Sequence, residues 1–151
     1  MNRLCIPLLL LCLIAQGVCS TFESRIVVMK SVDAPGKVTV ERIATCLRLM
    51  ALELKLSDKD LPLIVVLHVS RKGAAAAGMD RTKVRRSFDA NTGQTLYYEL
   101  WIVGEPRIAD YCAAVMRILE NHLGQAIDDK QRITIMQRAV RYLENTVSAT
   151  G

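Results

Sequence analysis

The stretch "YYELWIVGEPRIADYCAAVM" (residues 97–116) joins a strand to a helix through a short Gly-Glu-Pro turn. Its first half is rich in aromatic and β-branched residues, which favours a strand over residues 94–103. Pro106 stands where a helix begins, because the first helical position needs no backbone N–H. Apolar side chains then recur at helical spacing as far as Gly124, which suits a left-handed helix cap. We therefore predict a strand that leads directly into a helix over residues 107–123.

A β-hairpin is predicted immediately upstream of this junction. The turn sequence "DANTG" (residues 89–93) separates a strand at residues 82–88 from the strand at residues 94–103. Asn and Gly tolerate the positive φ angles that a tight turn requires. The hairpin therefore places residues 82–88 antiparallel to the strand that enters the helix.

The rest of the chain supplies two further strands and two further helices. "RIVVMK" predicts a strand at residues 25–30, and the apolar run "LIVVLHV" predicts one near residues 63–70 that is covered on both faces. Apolar spacing predicts helices near residues 39–56 and 128–147, the second capped by Asp128. The order strand, helix, strand, loop, hairpin, helix, helix indicates an α+β domain with a small mixed sheet packed by helices.

Each predicted helix has an apolar face for the core. The first helix has a second apolar side at Leu49, Leu52 and Leu56, which we expect to meet another element or a partner. The predicted core positions, helix by helix, are Val40, Ile43, Ala44, Leu47, Met50, Ala51 and Leu54; Ile108, Tyr111, Cys112, Val115, Ile118, Leu119 and His122; and Ile133, Met136, Val140, Leu143 and Val147.

Residues 1–20 have the layout of a secretory signal peptide. Arg3 precedes an apolar run that is too short for a spanning helix, and Gly17 or Ser20 offers a small residue for cleavage. We therefore predict a secreted or periplasmic protein in which residues 21–151 form a single globular domain. No later segment is apolar for long enough to span a bilayer, so we expect the mature chain to be soluble.

The charge of the mature chain is mildly basic. Removal of residues 1–20 leaves 19 basic and 15 acidic residues, a net charge of +4. A charge of this size does not indicate a nucleic-acid partner.

Two cysteines remain after the predicted cleavage. Cys5, Cys12 and Cys19 lie in the signal region, whereas Cys46 and Cys112 lie in the domain. An even pair in an oxidising compartment can form a disulfide, and two buried free thiols that pack as small apolar side chains are the equal alternative. The bond would stabilise the fold by roughly 4 kcal/mol on chain-entropy grounds. Periodicity places Cys112 on the core face of its helix and Cys46 on the flank of its own.

Familiar catalytic and metal-binding motifs do not occur in this sequence. It has no Gly-rich phosphate loop, no G-x-S-x-G elbow and no two cysteines at C-x-x-C spacing. His68 lies in an apolar strand and His122 on an apolar helix face, so we interpret both as hydrogen-bonded structural histidines. We predict no metal and no cofactor.

A basic group surrounds the start of the hairpin. Its members Arg81, Lys83, Arg85 and Arg86 form a candidate anion patch, close in sequence to Arg71 and Lys72. The alternative is an edge strand whose charges prevent edge-to-edge aggregation.

The element order resembles the minimal core of zincin-type metallopeptidases. In those domains, the helix that follows the hairpin carries H-E-x-x-H, whose histidines hold zinc and whose glutamate activates water. The resemblance aligns this motif with residues 110–114, where Asp110 replaces the first histidine, Tyr111 the glutamate and Ala114 the second histidine. Alanine cannot bind a metal, and tyrosine is a poor base at its ordinary pKa of about 10. The resemblance therefore implies a zincin-like scaffold without the zinc centre.

The leading functional hypothesis is an exported, non-catalytic zincin-like domain that binds a peptide or protein partner. An exposed strand edge beside an inert cleft can accept an extended chain as an added strand. The candidate contact residues are Tyr98, Glu99, Trp101, Asp110 and Arg117. One alternative is a small secreted hydrolase that uses Glu99, Asp110 and His122. Another is a structural subunit that forms homo-oligomers through the second apolar side of the first helix.

Overall fold

A computed structural model describes residues 26–28, 37–76 and 82–148. The described elements are β1 (Ile26–Val28), α1 (Lys37–Glu53), β2 (Ile64–Val69), α2 (Arg71–Ala76), β3 (Lys83–Phe88), β4 (Thr95–Val103), α3 (Ile108–Leu123) and α4 (Asp129–Ser148), with a 3₁₀ turn at Asp58–Asp60. The predicted α+β class is confirmed. The predicted signal peptide (residues 1–20) and Arg81 of the basic group lie outside the described residues.

The four described strands form one mixed sheet in the order β1-β2-β4-β3. β1 and β4 both run parallel to β2, whereas β3 runs antiparallel to β4. The predicted hairpin is confirmed, and it closes as expected: Asp89 Oδ1 accepts the backbone N–H groups of Asn91 at 2.7 Å and Thr92 at 3.0 Å. Gly93 completes the turn with a φ of +69°. Among the described strands, β3 therefore lies at one edge of the sheet and β1 at the other.

The hydrophobic core lies between one face of the sheet and the helices. Side chains alternate along a strand, so Ile64, Val66, Leu100 and Ile102 point to this face together. They form one cluster with buried residues of α1, α3 and α4. The opposite face, called here the far face, is less covered: Val65 is buried there, but Leu67 and Val69 are only half-buried. Coverage of both faces of β2 is therefore confirmed for its first half alone.

Several predicted core positions need correction. Ile133 is 53% exposed, because it lies about 120° around α4 from the buried Ala139 at 100° per residue. Ile135 and Ala139 fill the core instead. His122 is exposed at the end of α3.

The second apolar side of α1 is divided between the core and the surface. Leu49 of α1 packs against the core cluster, and so does Leu56, which lies beyond the end of the helix at Glu53, whereas Leu52 is 66% exposed. Among the helices within the described ranges, none combines the length and apolarity needed to cross a membrane.

Candidate binding groove

An open groove of about 820 Å³ separates β3 from the N-terminal half of α3. β3 and the residue before it contribute Thr82 and Val84, and the end of β4 contributes Val103. The remaining lining residues are Arg71, Glu105, Pro106, Arg107, Asp110, Ala113, Ala114 and Arg117. The junction between β4 and α3 (residues 104–107) therefore forms one end of the groove.

The turn after β4 is hydrogen-bonded to the end of β2. Gly104 donates its backbone N–H to the Val69 carbonyl oxygen at 2.9 Å, and its own carbonyl lies 2.7 Å from His68 Nε2. A carbonyl only accepts, so His68 donates from Nε2 and is the hydrogen-bonded structural histidine that the sequence predicts. Gly104 has a φ of +61°, and a Cβ there would lie 2.9 Å from Arg71 Cγ. The arginine that follows β2 thus packs directly over the turn.

Asp110 is already engaged at the start of α3. Its carboxylate accepts the Arg107 backbone N–H at 3.3 Å and the Arg107 guanidinium at 3.1 and 2.9 Å. The bond from the Arg107 side chain is the main reason that the pKa of Asp110 is lowered. The carboxylate therefore stays ionised well into the acid range and closes the first turn of α3.

The residues aligned with H-E-x-x-H do not fit a zinc ion. Tyr111 is 1% exposed and belongs to the hydrophobic core, so its side chain does not line the groove. Burial raises the pKa of Tyr111 to about 12, so the phenol stays protonated at neutral pH and is not available to accept a proton. Ala114 does line the groove but offers no donor atom. Within the described residues, no three His, Cys, Asp or Glu side chains are grouped to hold a metal.

The structure brings only two of the five predicted contact residues into the groove. Asp110 and Arg117 line it. Tyr98 is 1% exposed and packs edge-to-face against the His122 ring at 6.0 Å, so it is not accessible to a partner. Glu99 and Trp101 lie on the far face, where Trp101 Nε1 donates to Glu99 Oε2 at 2.9 Å. The period-2 alternation of β4 is the reason for this separation.

The residues suggested for a hydrolase are also separated. Asp110 and His122 lie near opposite ends of α3, about 18 Å apart at 1.5 Å of rise per residue. Glu99 faces away from both of them, on the far face of the sheet.

The basic group is divided between the two faces of β3. Lys83 and Arg85 point to the far face, opposite Trp101 and Glu99 in the register. Arg86 points the other way, with its guanidinium carbon 5.6 Å from the centroid of the Phe88 ring. All three are exposed along one edge strand rather than gathered around a single anion.

Sequence reasoning missed Arg71, Glu105 and Arg107 as groove residues. A signal for them existed, because parallel neighbouring strands end at the same edge of a sheet. Arg71 follows β2, and Glu105 follows β4, so the parallel pairing of β2 and β4 brings both to one end of the groove.

In comparisons with known proteins, this chain matches no protein-family model, no curated protein and no solved structure. Its function is therefore inferred from the groove itself.

Proposed function

We propose that this protein is an exported, non-catalytic zincin-like domain that binds an extended acidic segment of a partner protein. The segment lies in the groove between β3 and α3. The observation that carries the proposal is the combination, in one groove, of a sheet edge that pairs with no described strand and a basic wall. Export is taken from the signal-peptide pattern of residues 1–20.

The edge of β3 supports binding by strand addition. β3 pairs with β4 on one side, and no described strand pairs with its other side. In an antiparallel strand, alternate residues direct both N–H and C=O away from the existing partner. An extended peptide can satisfy those groups as a fifth strand, which supplies affinity from the main chain.

The charges of the groove favour an acidic partner. Its three arginines are Arg71, Arg107 and Arg117, and its two acids are Glu105 and Asp110. Arg107 and Asp110 neutralise each other through an ion pair at 2.9 Å. The exposed bases of β3, Lys83, Arg85 and Arg86, add to the positive potential at the edge. Like-signed potential around an open groove attracts and orients a ligand of opposite charge.

The residue types at the aligned positions support the absence of zinc-dependent catalysis. Ala114 provides no ligand, the Tyr111 side chain is buried, and the Asp110 carboxylate is held by Arg107. Stoichiometric zinc in elemental analysis of the purified protein would contradict this part of the proposal.

Fluorescence anisotropy with labelled peptides tests the binding mode. The probes are a peptide of alternating Glu and Val, one of alternating Lys and Val, and the Glu-Val peptide methylated at every backbone nitrogen. We expect the Glu-Val peptide to bind and the Lys-Val peptide not to bind. The methylated peptide has the same charge and side chains but no backbone N–H group to donate in strand pairing, so it should bind at least tenfold more weakly. Equal binding of the two acidic peptides would exclude strand addition.

Matched variants locate the site. Arg117→Glu should weaken Glu-Val binding about tenfold, equivalent to about 1.4 kcal/mol. Arg141→Glu makes the same charge reversal at an exposed arginine of α4 and should leave the affinity for the Glu-Val peptide within twofold of wild type. Ala113→Glu in the groove and Ala109→Glu on an exposed position of the same helix form a second pair. Equal effects within either pair would place the peptide elsewhere. Hydrogen exchange should show protection of β3 amides on binding.

A further inference from the structure

Two buried cysteines from distant parts of the chain meet in the core. Cys46 of α1 and Cys112 of α3 are both fully buried. Although periodicity places Cys46 on the flank of its helix, the residue is fully buried, because α1 packs against both α3 and α4. Their Sγ atoms are 3.4 Å apart across a separation of 66 residues, and both are free thiols here.

We propose that the exported protein carries a disulfide between Cys46 and Cys112 that joins α1 covalently to α3. A disulfide bond is about 2.05 Å long, so the two sulfur atoms need to approach by about 1.4 Å from their 3.4 Å contact. The pair is also the only one available if residues 1–20 are removed, since the other three cysteines lie in that segment. This inference shares the predicted export with the proposed function but is independent of peptide binding.

The bond forms by two thiol–disulfide exchange steps with a disulfide oxidant of the exporting compartment. One cysteine thiolate attacks the oxidant and releases the first reduced thiol, giving a mixed disulfide. The second cysteine thiolate then attacks the protein sulfur of that mixed disulfide and releases the second reduced thiol. The protein loses two protons and two electrons, and the oxidant gains them.

Burial determines when this exchange takes place. The pKa of the Cys46 thiol is raised by its hydrogen bond with Cys112 and by burial, and only the thiolate is a good nucleophile. The folded, reduced pair is therefore protected from an external oxidant. The exchange belongs to the folding stage, before α1 and α3 close over the sulfurs, and the finished bond is equally protected from reductants.

Peptide mapping of the native protein tests the bond directly. The full chain is expressed with its own N-terminal segment into an oxidising compartment, alkylated with iodoacetamide in denaturant without reductant, and digested with trypsin. Cleavage after Arg42, Arg48, Arg107 and Arg117 releases residues 43–48 and 108–117 as separate peptides. We expect a single linked species that splits on reduction. Alkylation of both cysteines, or linkage of either one to a cysteine of residues 1–20, would overturn the proposal.

Thermal unfolding with and without reductant separates the bond from simple packing. Reduction under mildly denaturing conditions, followed by refolding with dithiothreitol, should lower the Tm of the wild-type protein by about 10–15 °C. The Tm of Cys46→Ala and of Cys112→Ala should be low with or without dithiothreitol, because neither variant has a bond to lose. An unchanged wild-type Tm after reduction, or an equal fall in the variants, would contradict the bond even if the variants are unstable for packing reasons.

Discussion

The Tyr111 hydroxyl is the one buried side-chain polar atom in the described part of the chain that has no hydrogen-bond partner. A buried hydroxyl without a partner has lost its hydration without compensation, which is unfavourable by about 1–3 kcal/mol. The residue is nevertheless well packed, at 1% exposure within the core cluster. Its aromatic ring therefore stabilises the fold while its oxygen atom opposes it.

Tyr111→Phe should for this reason raise the free energy of unfolding. We expect an increase of about 1 kcal/mol, measured by urea denaturation, because the ring volume is kept and the unpaired oxygen is removed. Tyr142→Phe on α4 is the matched control, since Tyr142 is 50% exposed and the change should stay within about 0.5 kcal/mol. A loss of stability in Tyr111→Phe would show that the hydroxyl has a partner.

Asp110 makes the stability of the protein depend on pH. Its pKa in the folded state is lowered from the ordinary value of 3.8, chiefly by the Arg107 side chain. Its contribution is therefore fully present above pH 3.8 and is lost as the pH falls through the lower folded-state pKa. Asp110→Asn should destabilise the protein at pH 7 by less than about 1 kcal/mol, because the pair is solvent-exposed, and the difference from wild type should narrow as the pH is lowered towards 2.

The control for Asp110 is Glu105→Gln in the adjacent turn. It removes a carboxylate of the same groove and should leave stability within about 0.5 kcal/mol at both pH values. Equal destabilisation by Asp110→Asn at pH 7 and pH 2 would mean that shape, not charge, is what Asp110 contributes.

At the scale of elements, the junction between β4 and α3 depends on a glycine for two separable reasons. Gly104 has a φ of +61°, and it also leaves the space that the Arg71 side chain occupies. Gly124, at the end of α3, has a φ of +67° but has nothing within 4 Å of a Cβ built there. The two glycines therefore form a natural comparison of backbone strain with and without a steric contact.

Gly124→Ala should lower the free energy of unfolding by about 1 kcal/mol, the usual penalty for a left-handed non-glycine residue. Gly104→Ala should lower it by roughly 1 kcal/mol more, since Arg71 must also move. In an Arg71→Ala background, the effect of Gly104→Ala should fall to that of Gly124→Ala, as a double-mutant cycle would measure. If the two substitutions have the same effect in the wild-type background, the contact with Arg71 contributes nothing.

At the scale of the whole molecule, α3 takes part in both the proposed groove and the proposed disulfide. One of its sides walls the groove through Ala113 and Arg117, and its other side places Cys112 against α1. A covalent link from α3 to α1 would hold the groove wall in place against the sheet. The two proposals can nevertheless be contradicted separately, because the peptide experiments measure binding in the groove and the disulfide experiments measure a covalent bond in the core.

Most of the elements could be predicted from the sequence. The hairpin, the strand that enters α3, and the caps at Asp128 and Gly124 all depend on residues within a few positions of one another. Asp128 caps α4 by accepting the N–H groups of Lys130 and Gln131, and Gly124 adopts the left-handed conformation. Such local hydrogen bonds and steric limits are determined by the residue types within a short stretch of sequence.

The candidate site could be predicted only in part. Of the predicted contact residues, Asp110 and Arg117 line the groove, whereas Trp101 and Glu99 lie on the other face of the sheet. The sequence shows that β4 has two faces but does not show which face the helices cover. That choice depends on the packing of the whole core.

The sequence by itself determined the α+β class, the order of the strands and of the three long helices along the chain, and the residue types that exclude an H-E-x-x-H zinc site, because these follow from local periodicity and side-chain chemistry. The tertiary structure alone decided the strand order β1-β2-β4-β3, the approach of Arg71 to the β4–α3 turn and the contact between Cys46 and Cys112. Each of these joins residues far apart in the chain. They meet because burial of apolar surface selects one arrangement of the sheet and helices, and no short stretch of sequence specifies that arrangement.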